Sequence, residues 1–328
     1  MSPLVRLGLL SAATIVLFGG VASAVVAAAY PRARARLAGL PPPMRAQGVL
    51  TWAALPWVVS ALLLALCFVP SVWSVLGLAV DHCPSHDDGH IHLCVDHAPH
   101  HPVSLVEWVL LAAGGVAVGL VALRVLRAQL ATWRAVTALV RGAGLEAEGG
   151  LVASSSPLSV TAGLLRPLVL VSTGLRSRLS PEQLRAVLAH EQSHARRRDP
   201  LRLLAVALLG AAHGPSTRRR LVADLALACE EAADEDAAQV VGDRTLVAES
   251  ILAVERLLGA EPLRVGLALG MAGCAAEARV VALLRDPLPP SPARSSRRAI
   301  WAAVAAGAVA AASEIHHLTE SLLDLVAR

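Results

Sequence analysis

The chain has 328 residues, and its mean hydropathy of +0.59 and hydrophobic fraction of 55% are too high for an ordinary soluble protein. The net charge of +4 comes from arginine, because the sequence contains no lysine, and the arginines cluster beside apolar segments. A basic sequence can indicate nucleic-acid binding, but this clustering favours signals of membrane topology. The composition therefore predicts a multi-pass membrane protein with no direct nucleic-acid partner.

Three apolar segments, at 7–30, 49–80 and 103–123, are long enough to cross a lipid bilayer, which requires about 20 residues. The first could be a cleaved signal peptide. Arginines beginning at Arg32 follow it at once, however, and such a run resists translocation, so a retained anchor is favoured. A short, alanine-rich segment at 299–313 is a candidate fourth span.

Arginine placement predicts the orientation of these spans. The segment 81–102 contains no arginine, whereas arginines follow the first span and continue from Arg124 after the third. Because positive charge is retained inside, 81–102 is expected outside and the residues from Arg124 onward in the cytoplasm. The predicted organisation is a membrane domain at 1–123, a cytoplasmic domain at 124–298, and a fourth span with a short outer tail at 299–328.

The outer segment 81–102 is rich in histidine and cysteine. It contains seven of the twelve histidines and two cysteines: His82, Cys83, His86, His90, His92, Cys94, His97, His100 and His101. A Cys83–Cys94 disulfide would add about 3 kcal/mol in the loop-entropy description. Zinc or copper binding, sensing of acid through histidine protonation, and a passive loop are the other interpretations. Cys67, Cys229 and Cys274 are interpreted as buried or free thiols.

A helix in the cytoplasmic domain carries a metal-binding pattern. Ser180 and Gln183 form a capping box at its predicted start. His190 and His194 are one turn apart, so both imidazoles can reach one ion, and zinc suits such ligands. Glu191, beside the first histidine, is placed to act as a general base. A structural metal site or a solvated face is the alternative, although the apolar residues before the motif favour half-buried histidines.

Carboxylates further along the chain can complete the site. Glu230 and Asp234 are again one turn apart in a segment of helical composition. Glu230 could be the third ligand, with Asp234 accepting the free ring N–H of a ligand histidine. Glu231 is a competing ligand, and simple solvated acidity is an alternative for all three.

These motifs resemble the BlaR/MecR family of integral-membrane zinc metallopeptidases. The resemblance lies in residues 156–159, 163–170, 190–194 and 196–199, and in the Glu-x-x-Ala-Asp pattern at 230–234, which is also similar to the HtpX and CAAX-prenyl-protease families. It implies Glu230 rather than Glu231 as ligand and one catalytic Zn²⁺. It also implies a gluzincin-type α+β domain whose edge strand, at 167–172, pairs with an extended substrate.

The resemblance also implies a location and a substrate class. Members reside in the bacterial cytoplasmic membrane, and the implied substrate is a protein, for example a cytoplasmic transcriptional repressor in a signalling pathway. Without lysine, the chain lacks the Ser-x-x-Lys sensor motif of the antibiotic-sensing members. Membrane-protein quality control, a site-2-type intramembrane protease and a non-catalytic metal-binding signal transducer are the alternative functions. No oxyanion-stabilising residue is assigned, although His213 is one candidate.

The sequence as a whole predicts a mainly α membrane protein. Three to four transmembrane helices carry a cytoplasmic gluzincin-like α+β metallopeptidase domain. In that domain Glu191 takes a proton from the attacking water and returns it to the leaving amine.

Overall fold

The computed structural model describes residues 2–79, 93–94, 103–142, 151–258, 272–286 and 306–327. The first three helices are α1 (Pro3–Ala38), α2 (Pro42–Val75) and α3 (Leu105–Gly142). Within the described residues, these three are long and apolar enough to cross a membrane. The prediction of three long apolar helices in this part of the chain is therefore confirmed, and their crossing of a membrane stays a prediction.

The third helix is longer than the apolar pattern suggested. The predicted span ends at residue 123, but α3 continues to Gly142. Arginine has a high helix propensity, so the arginines that begin at Arg124 end the apolar stretch without ending the helix.

The described strands β1 (Leu151–Val152), β2 (Ser159–Ala162) and β3 (Leu168–Ser172) form a three-stranded sheet in the order β1-β3-β2. β3 runs parallel to β1 and antiparallel to β2. The prediction that 167–172 forms the edge strand is therefore wrong, because β3 is central and β2 lies at the edge. The apolar sequence of β3 reflects this central place, and its residues Leu170 and Val171 are buried.

The helices that follow the sheet are α4 (Thr173–Arg176), α5 (Pro181–Arg197), α6 (Asp199–Leu209), α7 (Pro215–Val241), α8 (Arg244–Leu258) and α9 (Ala272–Leu283). The predicted capping box at the start of α5 is present, with the Ser180 hydroxyl accepting from the Gln183 N–H. Apolar residues of α5, α7, α8 and α9 pack into one cluster. This packing holds α5 and α7 side by side.

The membrane helices share a core with α6 and α7. Val49 and Ala53 of α2 pack in one buried cluster with Val206 of α6 and Leu225 of α7. Polar contacts add to this apolar packing: the Tyr30 hydroxyl of α1 donates to a carboxylate of α7, that of Asp224, at 2.9 Å. The boundary at residue 123 between the membrane domain and the cytoplasmic domain remains a prediction. Residues from both sides of that boundary share one buried cluster.

The C-terminal helix α10 (Ala312–Ala327) packs on the opposite half of α2. Leu323 of α10 lies in a buried cluster with Cys67 of α2, Leu10 of α1 and Leu93. Residues 299–305 of the predicted fourth span lie outside the described residues, so that span stays a prediction.

Candidate metal centre

Two neighbouring helices bring the three predicted metal ligands together. His190 and His194 project from α5, and their Nε2 atoms lie 3.0 Å apart. Glu230 projects from α7. Its Oε2 lies 3.5 Å from His190 Nε2, and its Oε1 lies 3.5 Å from His194 Nε2. One ligand atom from each residue lies within 4.8 Å of the other two. The three side chains therefore surround a single point.

Each histidine has a carboxylate behind it. Asp234 Oδ1 lies 2.9 Å from His190 Nδ1, and Asp199 Oδ2 lies 2.8 Å from His194 Nδ1. The His194–Asp199 contact has hydrogen-bond geometry, and because a carboxylate accepts, the hydrogen of His194 is on Nδ1 and its Nε2 faces the common point. The contact of His190 with Asp234 is an ion-pair contact without hydrogen-bond alignment, and it places the carboxylate on the Nδ1 side of the ring. Asp234 had been predicted for this role, whereas Asp199 had not.

The position of Asp199 depends on a break between two helices. Arg198 adopts the left-handed conformation, with φ of 53°, and ends α5. The chain therefore turns directly into α6, which begins at Asp199. The turn places this carboxylate beside the last turn of α5, where it contacts His194. Residues 196–199 belong to the family resemblance, but no helical spacing pairs Asp199 with His194, so the sequence indicated no role for Asp199.

The donors fit a zinc ion. Two imidazole nitrogens and one carboxylate oxygen form one of the common three-ligand sets of catalytic zinc sites, and hydrogen-bonded carboxylates commonly orient such histidines. Two Nε2 atoms at 3.0 Å require a proton or a metal cation between them. The electrostatic surroundings favour such a cation. Burial opposes a charged ring, but the charge of Glu230 and the hydrogen bond to Asp199 outweigh it and raise the pKa of His194 to about 10.

The structure separates Glu230 from the competing candidate Glu231. Glu231 points away from the histidines and forms an ion pair with Arg45 at the start of α2. Glu230 faces the histidines. Burial alone would raise the pKa of Glu230, but Arg279 and His194 hold it well below its usual range, so the carboxylate is ionised.

Arg279 of α9 is a member of the site that the sequence did not reveal. Its guanidinium donates to both oxygens of Asp234, at 2.8 and 2.7 Å, and lies 2.9 Å from Glu230. This fork fixes the orientation of both carboxylates. Arg279 is far from the other site residues in the chain, and a single arginine in a mainly apolar segment carries no motif.

The proposed general base lies beside the same point. Glu191 lines a cavity of about 200 Å³ together with His190 and His194. Its two carboxylate oxygens accept hydrogen bonds from the hydroxyls of Ser159, at 2.9 Å, and Thr161, at 2.6 Å. Both hydroxyls belong to β2, so the edge strand and the general base are directly connected. Neither hydroxyl had been predicted as part of the site.

Other predicted residues lie elsewhere or outside the described residues. The ring of His213 lies 3.1 Å from the Ala53 carbonyl of α2 and does not line the cavity. Cys229 does line it, but burial and the charge of Asp199 raise the pKa of its thiol, so the protonated form is favoured. Cys94 is buried. Its predicted disulfide partner and the histidines of the outer segment lie outside the described residues: Cys83, His82, His86, His90, His92, His97, His100 and His101.

Comparison with known families agrees with this geometry. The sequence matches the family model of Peptidase family M48 over residues 132–225, which includes β2, β3, α5 and α6. No curated protein and no solved structure matches the chain. Together with the apolar helices, this similarity supports a membrane-associated metallopeptidase. The matched region ends before Glu230, so the choice of third ligand depends on the geometry of α7.

Proposed function

We propose that this protein is a zinc-dependent endopeptidase of the bacterial cytoplasmic membrane that hydrolyses a cytoplasmic or membrane-proximal protein. The observation that carries the proposal is the convergence of His190, His194 and Glu230 on one point, with the Glu191 carboxylate on the same cavity. This is the arrangement that metal-assisted peptide hydrolysis requires.

The chain's own groups divide the work of such a reaction. When bound, zinc supplies Lewis-acid chemistry, which polarises a carbonyl and lowers the pKa of water to about 7. Glu191 accepts the proton of the attacking water and transfers it to the leaving amine. Ser159 and Thr161 hold the Glu191 carboxylate at the cavity, so it does not have to be oriented at the moment of reaction.

The sheet provides a way to bind an extended peptide. Within the described residues, β2 pairs with β3 on one side only. A substrate strand can add to the other side through backbone hydrogen bonds, which place few demands on its side chains. Because Ser159 and Thr161 of β2 also contact Glu191, a peptide bound along this edge passes the general base. This supports a protein substrate rather than a small amide.

Charge and packing support a cytoplasmic location for the site. The core shared with α7 lies at the start of α2 and the end of α1, where Arg32, Arg34, Arg36 and Arg45 are concentrated. Arginine-rich connections are retained on the cytoplasmic side. The substrate is then accessible from the cytoplasm, and the resemblance to the BlaR/MecR family extends the proposal to a transcriptional repressor.

The test is a Glu191→Gln variant of the full chain, purified in detergent. We expect it to bind zinc at the level of the unmodified protein and to cleave casein about 10² to 10⁴ times more slowly, because a general base contributes a factor of this size. His190→Ala should lose both zinc and cleavage. Glu182→Gln changes an exposed glutamate at the start of the same helix and is the matched control.

Two results would refute the proposal. One is full activity in Glu191→Gln, and the other is unmodified protein that holds no stoichiometric divalent metal. The substrate class is then tested in cells by comparing the proteins cleaved with the unmodified chain and with Glu191→Gln. If one regulatory protein is lost only in cells with the unmodified chain, repressor cleavage is supported. If many membrane proteins accumulate in cells with Glu191→Gln, quality control is supported.

A further inference from the structure

A second group of metal-binding side chains lies on the C-terminal helix. His316, His317 and Glu320 of α10 each place one ligand atom within 4.8 Å of the others. Spacings of three and four residues put Glu320 on the same face as both histidines. His316 is 0% exposed and Glu320 is 5% exposed, so this group differs from a solvated acidic surface. A buried carboxylate requires a compensating positive charge or hydrogen bonds.

The described contacts place two hydrogen-bond acceptors against each other. His316 Nδ1 lies 2.7 Å from the backbone carbonyl oxygen of Cys67. A carbonyl only accepts, so Nδ1 carries the hydrogen and Nε2 has a lone pair. This Nε2 atom lies 3.2 Å from Glu320 Oε1, which already accepts the backbone N–H of Leu93 at 2.9 Å. Two acceptors at this separation are stable only with a proton or a metal ion between them.

The proposed catalytic site has a similar arrangement, because there too an oxygen atom lies on the Nδ1 side of each histidine and the Nε2 atom faces the other donors. In α10 the oxygen comes from a backbone carbonyl of α2. The surrounding packing holds the group in place: Leu323 and Cys67 belong to one buried cluster, and Cys67 Sγ lies 3.3 Å from Thr319 Oγ1. The donors are therefore preorganised, which reduces the cost of ordering them around an ion.

This group is separate from the catalytic centre. Ala53 of α2 packs in the core shared with α7, whereas Cys67 packs against α10. The fourteen residues between these positions correspond to about 21 Å along a helix. Leu93, which contacts Glu320, belongs to the segment 81–102, so the group lies where the sequence predicts the outer face.

We infer that His316, His317 and Glu320 form a second binding site for a divalent transition-metal ion. Two imidazole nitrogens and one carboxylate oxygen match Zn²⁺ better than Ca²⁺ or Mg²⁺, which prefer oxygen ligands. The site does not depend on peptidase activity, because its donors and its packing partners are distinct from those of α5 and α7.

The experiment measures zinc content in the full chain, using a Glu191→Gln background so that self-cleavage is slowed. Metal is removed with a chelator, zinc is added back, and bound zinc per chain is measured after desalting. His317→Ala and Glu320→Gln should each bind about one zinc ion fewer than the parent. His190→Ala should also bind about one fewer, and combining it with His317→Ala should remove both. Histidines elsewhere in the chain are common to all variants and cancel in the comparison.

The choice of variants keeps a folding defect separate from a lost ligand. His317 is only half-buried, and glutamine at 320 can still accept the Leu93 N–H. His213→Gln replaces a buried histidine of another region and should leave the zinc content unchanged. Thermal unfolding in detergent checks that each variant is folded. Unchanged zinc content in folded His317→Ala and Glu320→Gln overturns the inference and leaves a shared proton between His316 and Glu320.

Discussion

The carboxylate of Asp199 offers the sharpest test of the proposed metal site, because it contacts a proposed ligand but is not one itself. It is 2% exposed and lies 2.8 Å from His194 Nδ1, and Arg202 approaches its other oxygen at 3.3 Å. In Asp199→Ala the Nδ1–H of His194 loses its acceptor. The ring is then free to rotate or to carry its hydrogen on Nε2, which would remove the lone pair that binds the ion.

Two quantities set the expected size of the loss in zinc affinity: the known effect of removing such a partner on metal affinity, and the cost of leaving a buried N–H without an acceptor. Loss of a partner that orients a ligand histidine weakens metal binding by about 10- to 100-fold, which corresponds to about 1.4 to 2.7 kcal/mol. A buried N–H left without an acceptor costs about 1 to 3 kcal/mol, a similar amount. In Asp199→Asn the amide oxygen can still accept from His194, so we expect a smaller loss, near tenfold.

The measurement is zinc affinity by competition with a chromophoric chelator, using purified protein in detergent. Asp236→Asn is the matched control. Asp236 of α7, like Asp199 of α6, is a carboxylate that contacts α5, but it contacts Ser193 and Arg197 and no proposed ligand. Asp236→Asn should lower the unfolding temperature and leave zinc affinity unchanged. If Asp199→Ala binds zinc as tightly as the unmodified protein, the role assigned to this carboxylate is wrong.

Three further changes test the remaining parts of the site. Glu231→Leu should retain full zinc content but lose up to about 3 kcal/mol of stability, because the partly buried Arg45 loses the carboxylate that pairs with it. Loss of zinc would instead make Glu231 a ligand. Thr161→Val removes a hydroxyl that donates to Glu191 and should lower kcat at least about tenfold with unchanged zinc content, so unchanged kcat would contradict the positioning role. Arg279→Met should destabilise the metal-free protein by about 3 to 5 kcal/mol. Added zinc should raise the Tm of this variant more than that of the unmodified protein, because zinc replaces the lost positive charge. Equal increases in Tm would contradict this expectation.

Local sequence patterns predicted the features that depend only on residues close together in the chain. The three apolar helices follow from bilayer thickness and composition. The pairing of His190 with His194, and of Glu230 with Asp234, follows from the helical repeat, which places residues four apart on one face in any surroundings. The capping box at Ser180 likewise depends only on neighbouring residues.

At the candidate metal centre, tertiary structure distinguished between residues that are equivalent in local terms. Glu230 and Glu231 are adjacent on one helix, and the docking of Arg45 from α2 fixes which of them faces the histidines. The left-handed turn at Arg198 brings Asp199 to His194, and the order of the strands makes β2 the edge. Such contacts join residues far apart in the chain, or depend on one backbone conformation, so no short sequence pattern contains them. Helical periodicity determined which side chains could act together, and the packing of distant elements determined which of them meet.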